Sequence, residues 1–156
     1  MRDHSGAREE FTNITVDEWG RWFTDKKKII NEKILSHFKQ NLFRDETGIY
    51  IYQTFHEHAE KGYISVHGPL LALFRISDDS FIFESLDEQK ISETEIILYG
   101  ERPLLRVNRL GAWAHISAGV SPYFSERLTE DNGTFEFNRS IIAVKKNIDW
   151  ITAVGS

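Results

Sequence analysis

The sequence predicts an α+β fold built as two similar strand–helix–strand lobes packed into one compact domain. Three observations predict it. Runs such as Ile49-Tyr50-Ile51-Tyr52-Gln53-Thr54-Phe55 and Thr134-Phe135-Glu136-Phe137 are rich in aromatic and β-branched residues, and the second alternates strictly, as a half-buried strand does. Ile34, Leu35, Phe38 and Leu42 recur at spacings of three and four, the stripe of an amphipathic helix. A Gly-x-Trp strand, a Phe and Leu four apart, an Asp and Gly stop and an aromatic strand then occur in that order twice.

Residues 1–16 are polar and read as a frayed tail, so the domain runs over 17–150, with one lobe at about 17–76 and the other at about 77–150. Arg21-Trp22-Phe23-Thr24 is a short strand, and Asp25 to Lys28 turns the chain. Asn31 is a predicted N-cap, because its side-chain oxygen can accept a bond from a free helix N–H; the helix runs from Glu32 to about Arg44. Asp45-Glu46-Thr47-Gly48 stops it. Strands follow at Ile49 to Phe55, Tyr63 to Val66 and Leu70 to Ile76, the last two parted by Gly68-Pro69. Phe81 to Glu84 is a further strand, and Ser92-Glu93-Thr94-Glu95 either opens a helical turn or precedes a strand at Ile96 to Tyr99. Pro103 to Val107 and Gly111 to Ile116 read as a strand pair. Ser121-Pro122 signals a helix start, with Ser121 as cap, and Asp131-Asn132-Gly133 its end. Strands at Thr134 to Phe137 and Ser140 to Val144 complete the chain.

The internal duplication aligns Gly20-Arg21-Trp22, Phe38, Leu42, Asp45, Gly48, Tyr50 and Tyr52 with Gly111-Ala112-Trp113, Phe124, Leu128, Asp131, Gly133, Phe135 and Phe137. It predicts that Phe38 with Leu42, and Phe124 with Leu128, are buried in two equivalent helices. One such unit alone is small for closing a core.

Composition narrows the function. Hydrophobic residues are 40% of the chain and charged residues 28%, with 11 Phe and 4 Trp, so a core forms without a covalent staple. The absence of cysteine excludes disulfides, thiolate metal sites and a cysteine nucleophile. The net charge of -5, with Lys26-Lys27-Lys28 beside Asp25 as the one basic run, argues against binding nucleic acid. No apolar run approaches the roughly 20 residues of a membrane helix. The polar N-terminus lacks a secretory signal's apolar core, so the expected location is the cytoplasm. A monomer or weak homodimer is expected.

Few residues suggest chemistry. His56 and His58 would share a face of a strand and could meet one ion, with His67, Glu60 or His115 completing the set, but a polar turn rich in exposed histidines explains them as well. No Gly-x-Ser-x-Gly elbow, phosphate loop or dinucleotide fingerprint appears. Arg102 and Arg106 share a face if extended, and their guanidinium forks suit a carboxylate or phosphate; pairing with Glu101 or Glu95 is the simpler alternative. Trp22 and Tyr52 are candidate aromatic contacts on what would be neighbouring strands.

The order of features from about Gly20 to Val144 resembles domain-of-unknown-function family 1285, uncharacterised bacterial proteins. The resemblance lies in Arg21-Trp22-Phe23, Phe38 to Gly48, Tyr50, Glu60-Lys61, Ile64-Ser65-Val66 and Pro69. Where the family carries acidic residues before that proline, this chain has His67-Gly68. The resemblance implies a duplicated α+β motif, no established activity and a regulatory or signalling role.

The leading expectation is therefore a non-enzymatic binding or regulatory module, without cofactor, for a protein or small-molecule partner; its candidate binding residues are Arg102, Arg106, Trp22 and Tyr52. The alternative is a small-molecule-binding enzyme or metalloprotein using His56, His58 and His67 with Arg102 and Arg106. A third is a structural partner whose aromatic strand forms an edge open to pairing.

Overall fold

Because apolar residues dominate so many short runs, strands outnumber helices: the computed structural model, which describes residues 4–148 and 150, is mostly sheet with two α-helices. The chain divides into two compact units that meet in sequence between Pro69 and Leu70.

The first unit contains β1 (Arg8–Val16), β2 (Trp22–Thr24), β3 (Lys27–Lys28), α1 (Glu32–Gln40), β4 (Leu42–Arg44), β5 (Ile49–Phe55) and β6 (His58–Val66). They form one six-stranded sheet in the order β3-β2-β1-β6-β5-β4. The predicted frayed tail is a correction: β1 lies inside the sheet, antiparallel to β2 and parallel to β6. Its polar sequence hides it, because its place is fixed by backbone ladders on both sides to strands that local periodicity cannot reveal.

The first helix starts as predicted, with the Asn31 side chain accepting from the backbone N–H groups of Lys33 and Ile34 at 3.0 and 3.1 Å. It ends four residues early. The Asn41 backbone N–H turns back to the Phe38 carbonyl at 3.1 Å, and its side chain donates to the His37 carbonyl at 2.7 Å. Leu42 then enters β4 opposite Ile51 and is fully buried there. No residue of α1 is buried; Phe38 is half-buried against Trp22, with ring centroids 6.3 Å apart. The predicted Phe38–Leu42 helical stripe therefore splits between a helix and a strand.

The second unit contains β7 (Leu71–Ile76), β8 (Ser80–Phe83), β9 (Glu88–Lys90), a 3₁₀ turn (Ile91–Glu93), β10 (Ile96–Tyr99), β11 (Arg102–Val107), β12 (Ala112–Ile116), α2 (Ser121–Arg127), β13 (Leu128–Asp131), β14 (Thr134–Phe137) and β15 (Ser140–Lys145). The sheet order is β13-β14-β15-β10-β11-β12-β7-β8-β9. The expected lobe boundary near Ile76 moves back because β7 pairs with β8 and β12 and so belongs here. Ser121 is the first residue of α2 rather than its cap. Phe124 is 1% exposed and stacks on Phe137 at 4.4 Å, whereas Leu128 opens β13 and is only half-buried. Phe81 packs against both rings of that pair. The sheet curls until its last strand meets β11: the Gln89 amide donates to the Arg106 carbonyl at 2.8 Å and accepts from the Asn108 N–H at 3.0 Å.

Each Trp strand is followed by a helix and a hairpin, but the pairing differs. Trp22 lies on β2, between β1 and the two-residue edge strand β3; Trp113 lies on β12, between antiparallel β11 and parallel β7. The two sheets are thus not copies of one another in strand pairing.

Left-handed backbone marks the turns. Asp25, Lys26, His56, Asn132, Asn138 and Arg139 adopt positive φ between paired strands, where tight hairpins require it. Leu86 is different: an aliphatic residue at φ 70°, 60% exposed, between β8 and β9. Its turn is clamped by Asp87, which accepts from Ser85 at 2.5 Å and from Arg109 at 2.7 and 3.0 Å.

Candidate functional site

The residues picked out by sequence are divided between the two units. Trp22 is 2% exposed and belongs to the core of the first unit. Tyr52 stacks on His4 at 3.7 Å, and β1 and β6 stand between its strand and that of Trp22. The aromatic strand β5 is not an open edge either, since β4 and β6 flank it. Arg102 and Arg106 lie on β11, in the other unit. Arg106 meets Glu95 at 3.6 Å and lies 5.8 Å above the Trp113 ring, which matches the simpler pairing with a neighbouring acid.

The histidines are separated by backbone geometry. His56, at φ 52°, and Glu57 form the hairpin tip, and Phe55 pairs with His58 across it. The alternation that would aim both imidazoles one way does not operate in a turn. His56, His58 and His67 are all exposed. Among the described residues no three His, Asp or Glu side chains are placed to hold a metal ion. Beside His67, Gly68 leaves no room for a side chain: a Cβ there would collide with the Asp17 carbonyl and the Glu18 backbone. An acidic residue at that position, as in the resembled family, could not be accommodated.

A dense polar constellation lies on one face of the first sheet. Register places Glu9, Lys61 and Tyr52 side by side on β1, β6 and β5, with Tyr63 and Tyr50 one step along. Lys61 is 7% exposed, Tyr63 fully buried. The turn after β4 brings in Asp45, which accepts from the Tyr63 hydroxyl at 2.6 Å, the Lys61 ammonium at 3.0 Å and the Thr47 N–H at 2.9 Å. The Tyr63 hydroxyl also reaches Glu9 at 3.2 Å, and the Lys61 ammonium lies 5.0 Å above the Tyr50 ring. Beside them His4 is bracketed by Phe43, Tyr50 and Tyr52, its Nδ1 2.8 Å from the Tyr50 hydroxyl.

Electrostatics in this cluster follow from its hydrogen bonds. Burial alone would raise the Asp45 carboxyl, but the bonds from Tyr63, Lys61 and Thr47 outweigh it and hold the group below its ordinary value. Burial would lower Lys61, yet Asp45 outweighs it and the ammonium is held above its ordinary value. Burial and the bond to Asp45 both push the Tyr63 phenol up. Sequence reading passed over this site, taking Asp45 for a helix stop. The available signal was Lys61 at a two-residue spacing from Tyr63, which puts a charged side chain on the buried face of a strand.

The second unit holds an open cleft of about 690 Å³. It forms because β15 is paired in halves. Ser140 to Ile142 pair with β14, while Ala143 to Lys145 pair with Ile97 to Tyr99 of β10. Ahead of Ile97 the chain leaves β15: the Glu95 carbonyl accepts from Arg106, and Ile91–Glu93 coil into the 3₁₀ turn. The flank of Ser140–Ile142 away from β14 therefore faces a gap. Ile91, Ile96, Ile141 and Ile142 line it with apolar surface, and Asp78, Asp79, Glu95 and Lys90 carry its charges. Ile141 is 74% exposed.

No protein-family model matches the sequence, and no curated protein matches it. Solved structures do resemble it. A DUF1285 family protein from Silicibacter pomeroyi is similar with a TM-score of 0.61 at 16% identity, over 95% of this chain and 84% of that one. A second, from Shewanella baltica, has a TM-score of 0.50 at 14% identity, over 74% of this chain and 91% of that one. The resemblance to this family read from the sequence thus extends to three dimensions, as a likeness of fold.

Proposed function

We propose that the protein is a binding module that captures its partner in the cleft of the second unit. For the polar cluster of the first unit, the direction in which its charged groups are pushed supports a structural rather than a catalytic role. A general base lysine needs its pKa lowered and a general acid carboxyl needs it raised. Here Asp17 and Asp45 are lowered, while Lys61 and Tyr63 are raised. Each is held more firmly in the state it already has in water at neutral pH. The polar cluster of the first unit is a fastener that ties β1 and the turn after β4 to β6.

The cleft is the better place for a partner. It combines exposed aliphatic surface, a free strand flank and a few charged groups, the usual make-up of a recognition site. A regulatory role of the kind that the family resemblance implies asks only for reversible capture of this sort. The test is a small-molecule fragment screen against isotopically labelled full-length protein, read by amide chemical shifts. Hits should move the amides of residues 91–97 and 140–143. Hits that move the residues around Asp45, Lys61 and Tyr63 and leave the cleft still would overturn the reading.

A further inference from the structure

We infer that the occupant of this cleft is an extended, basic and aliphatic peptide segment that adds a strand to the free flank of β15. The inference deepens the binding reading and rests on it.

Three features select this occupant. The first is the backbone. The register turns the main-chain groups of Ser140 and Ile142 toward β14 and those of Ala143 toward β10, so Ile141, between them, presents its N–H and C=O to the cleft. An added strand satisfies such a flank, whereas a helix cannot, because its own backbone groups are already bonded internally. The second is the apolar lining. The exposed Ile141 and the half-buried Ile91 offer branched aliphatic surface, suited to a β-branched side chain on one face of the incoming segment, whereas Ile96 and Ile142 are largely covered. The third is charge. The lining carries three carboxylates, Asp78, Asp79 and Glu95, against one ammonium, Lys90. Glu95 is shared with Arg106 at 3.6 Å and Lys145 at 3.9 Å, so the attraction for a cation comes chiefly from the exposed pair Asp78 and Asp79 in the lining. An acidic segment would meet these carboxylates with repulsion, which gives the cleft a sign preference as well as a shape.

The test uses full-length protein and a short acetylated peptide alternating lysine and valine. The comparison peptides alternate glutamate and valine, or carry N-methyl groups on the backbone of the lysine–valine sequence. The lysine–valine peptide should bind and shift the amides of 91–97 and 140–143; both comparison peptides should bind at least about tenfold more weakly. Replacing the exposed residues Asp78→Lys and Asp79→Lys should weaken the lysine–valine peptide about tenfold and improve the glutamate–valine one. Equal binding of the N-methylated peptide would overturn strand addition, and equal binding of the acidic peptide would overturn the charge preference. If fragments shift the cleft but the lysine–valine peptide does not bind, the peptide inference fails and the binding reading stands. If neither fragments nor peptide shift the cleft, both fail.

Discussion

Replacing Asp45 by asparagine removes the charge on which Lys61 and Tyr63 converge. The Lys61 side chain is 9% exposed and that of Asp45 25%. After the substitution the ammonium keeps Glu9 at 3.9 Å, a residue 59% exposed and therefore a weak partner. Breaking a fully buried pair by removing one member costs about 3–5 kcal/mol; water can reach the Asp45 side, so about 2–3 kcal/mol is expected here. That corresponds to a fall of about 4–12 °C in melting temperature for a chain of this size. Lys61→Met should be milder, about 1 kcal/mol, because the carboxylate keeps Tyr63 and the Thr47 and Gly48 N–H groups. The double variant should lose less than the two singles together, by about 1–2 kcal/mol of coupling, since it contains no buried ammonium deprived of its carboxylate. Urea unfolding of the four proteins, extrapolated to water, measures all three quantities. Strictly additive losses, or a loss below about 0.5 kcal/mol for Asp45→Asn, would refute the fastener.

The same cluster sets the pH response. Asp45 is lowered from 3.8, so its stabilisation is complete above that value and is lost as pH falls below it. Lys61 and Tyr63 are raised from 10.5 and 10.0, so theirs is complete below those values and is lost as pH rises above them; stability measured against pH should show a plateau with a fall at both ends, and the acid fall should shrink in Asp45→Asn. Phe124→Ala should cost about 3–5 kcal/mol, and Phe38→Ala, at a half-buried site, about 1–2 kcal/mol; comparable losses on urea unfolding would contradict the different burial of the two helices. Leu86→Gly should stabilise the protein by roughly 0.5–1 kcal/mol, because glycine adopts positive φ without the steric cost that leucine bears; a lower melting temperature would show that the exposed side chain contributes packing.

Local signals were legible in the sequence where a residue's role is decided by its neighbours. Asn31 caps α1 because its side chain reaches N–H groups two and three residues away, and Pro122 sits in the first turn of α2 because it has no N–H to satisfy there. The alternation of β14 likewise reports its own half-buried face. What depends on distant partners was not legible. β1 carries mostly polar residues and is fixed by β6, some fifty residues on. Leu42 fits the helical period, yet its burial opposite Ile51 draws it into a strand. The Asp45–Lys61–Tyr63 cluster needs three elements in register before it exists. The cleft is further removed from local pattern, because it arises from β15 changing partners halfway along its length.

The central claim is that a partner completes the free flank of β15, and amide hydrogen exchange measures it most directly. Exchange of the Ile141 amide, which faces the gap, should slow when the lysine–valine peptide is added and stay unchanged with its N-methylated form, because only the former keeps the backbone N–H groups that pairing with Ile141 needs. Slowing confined to the neighbourhood of Lys61 and Asp45, or no change at Ile141 with peptide bound, would contradict it.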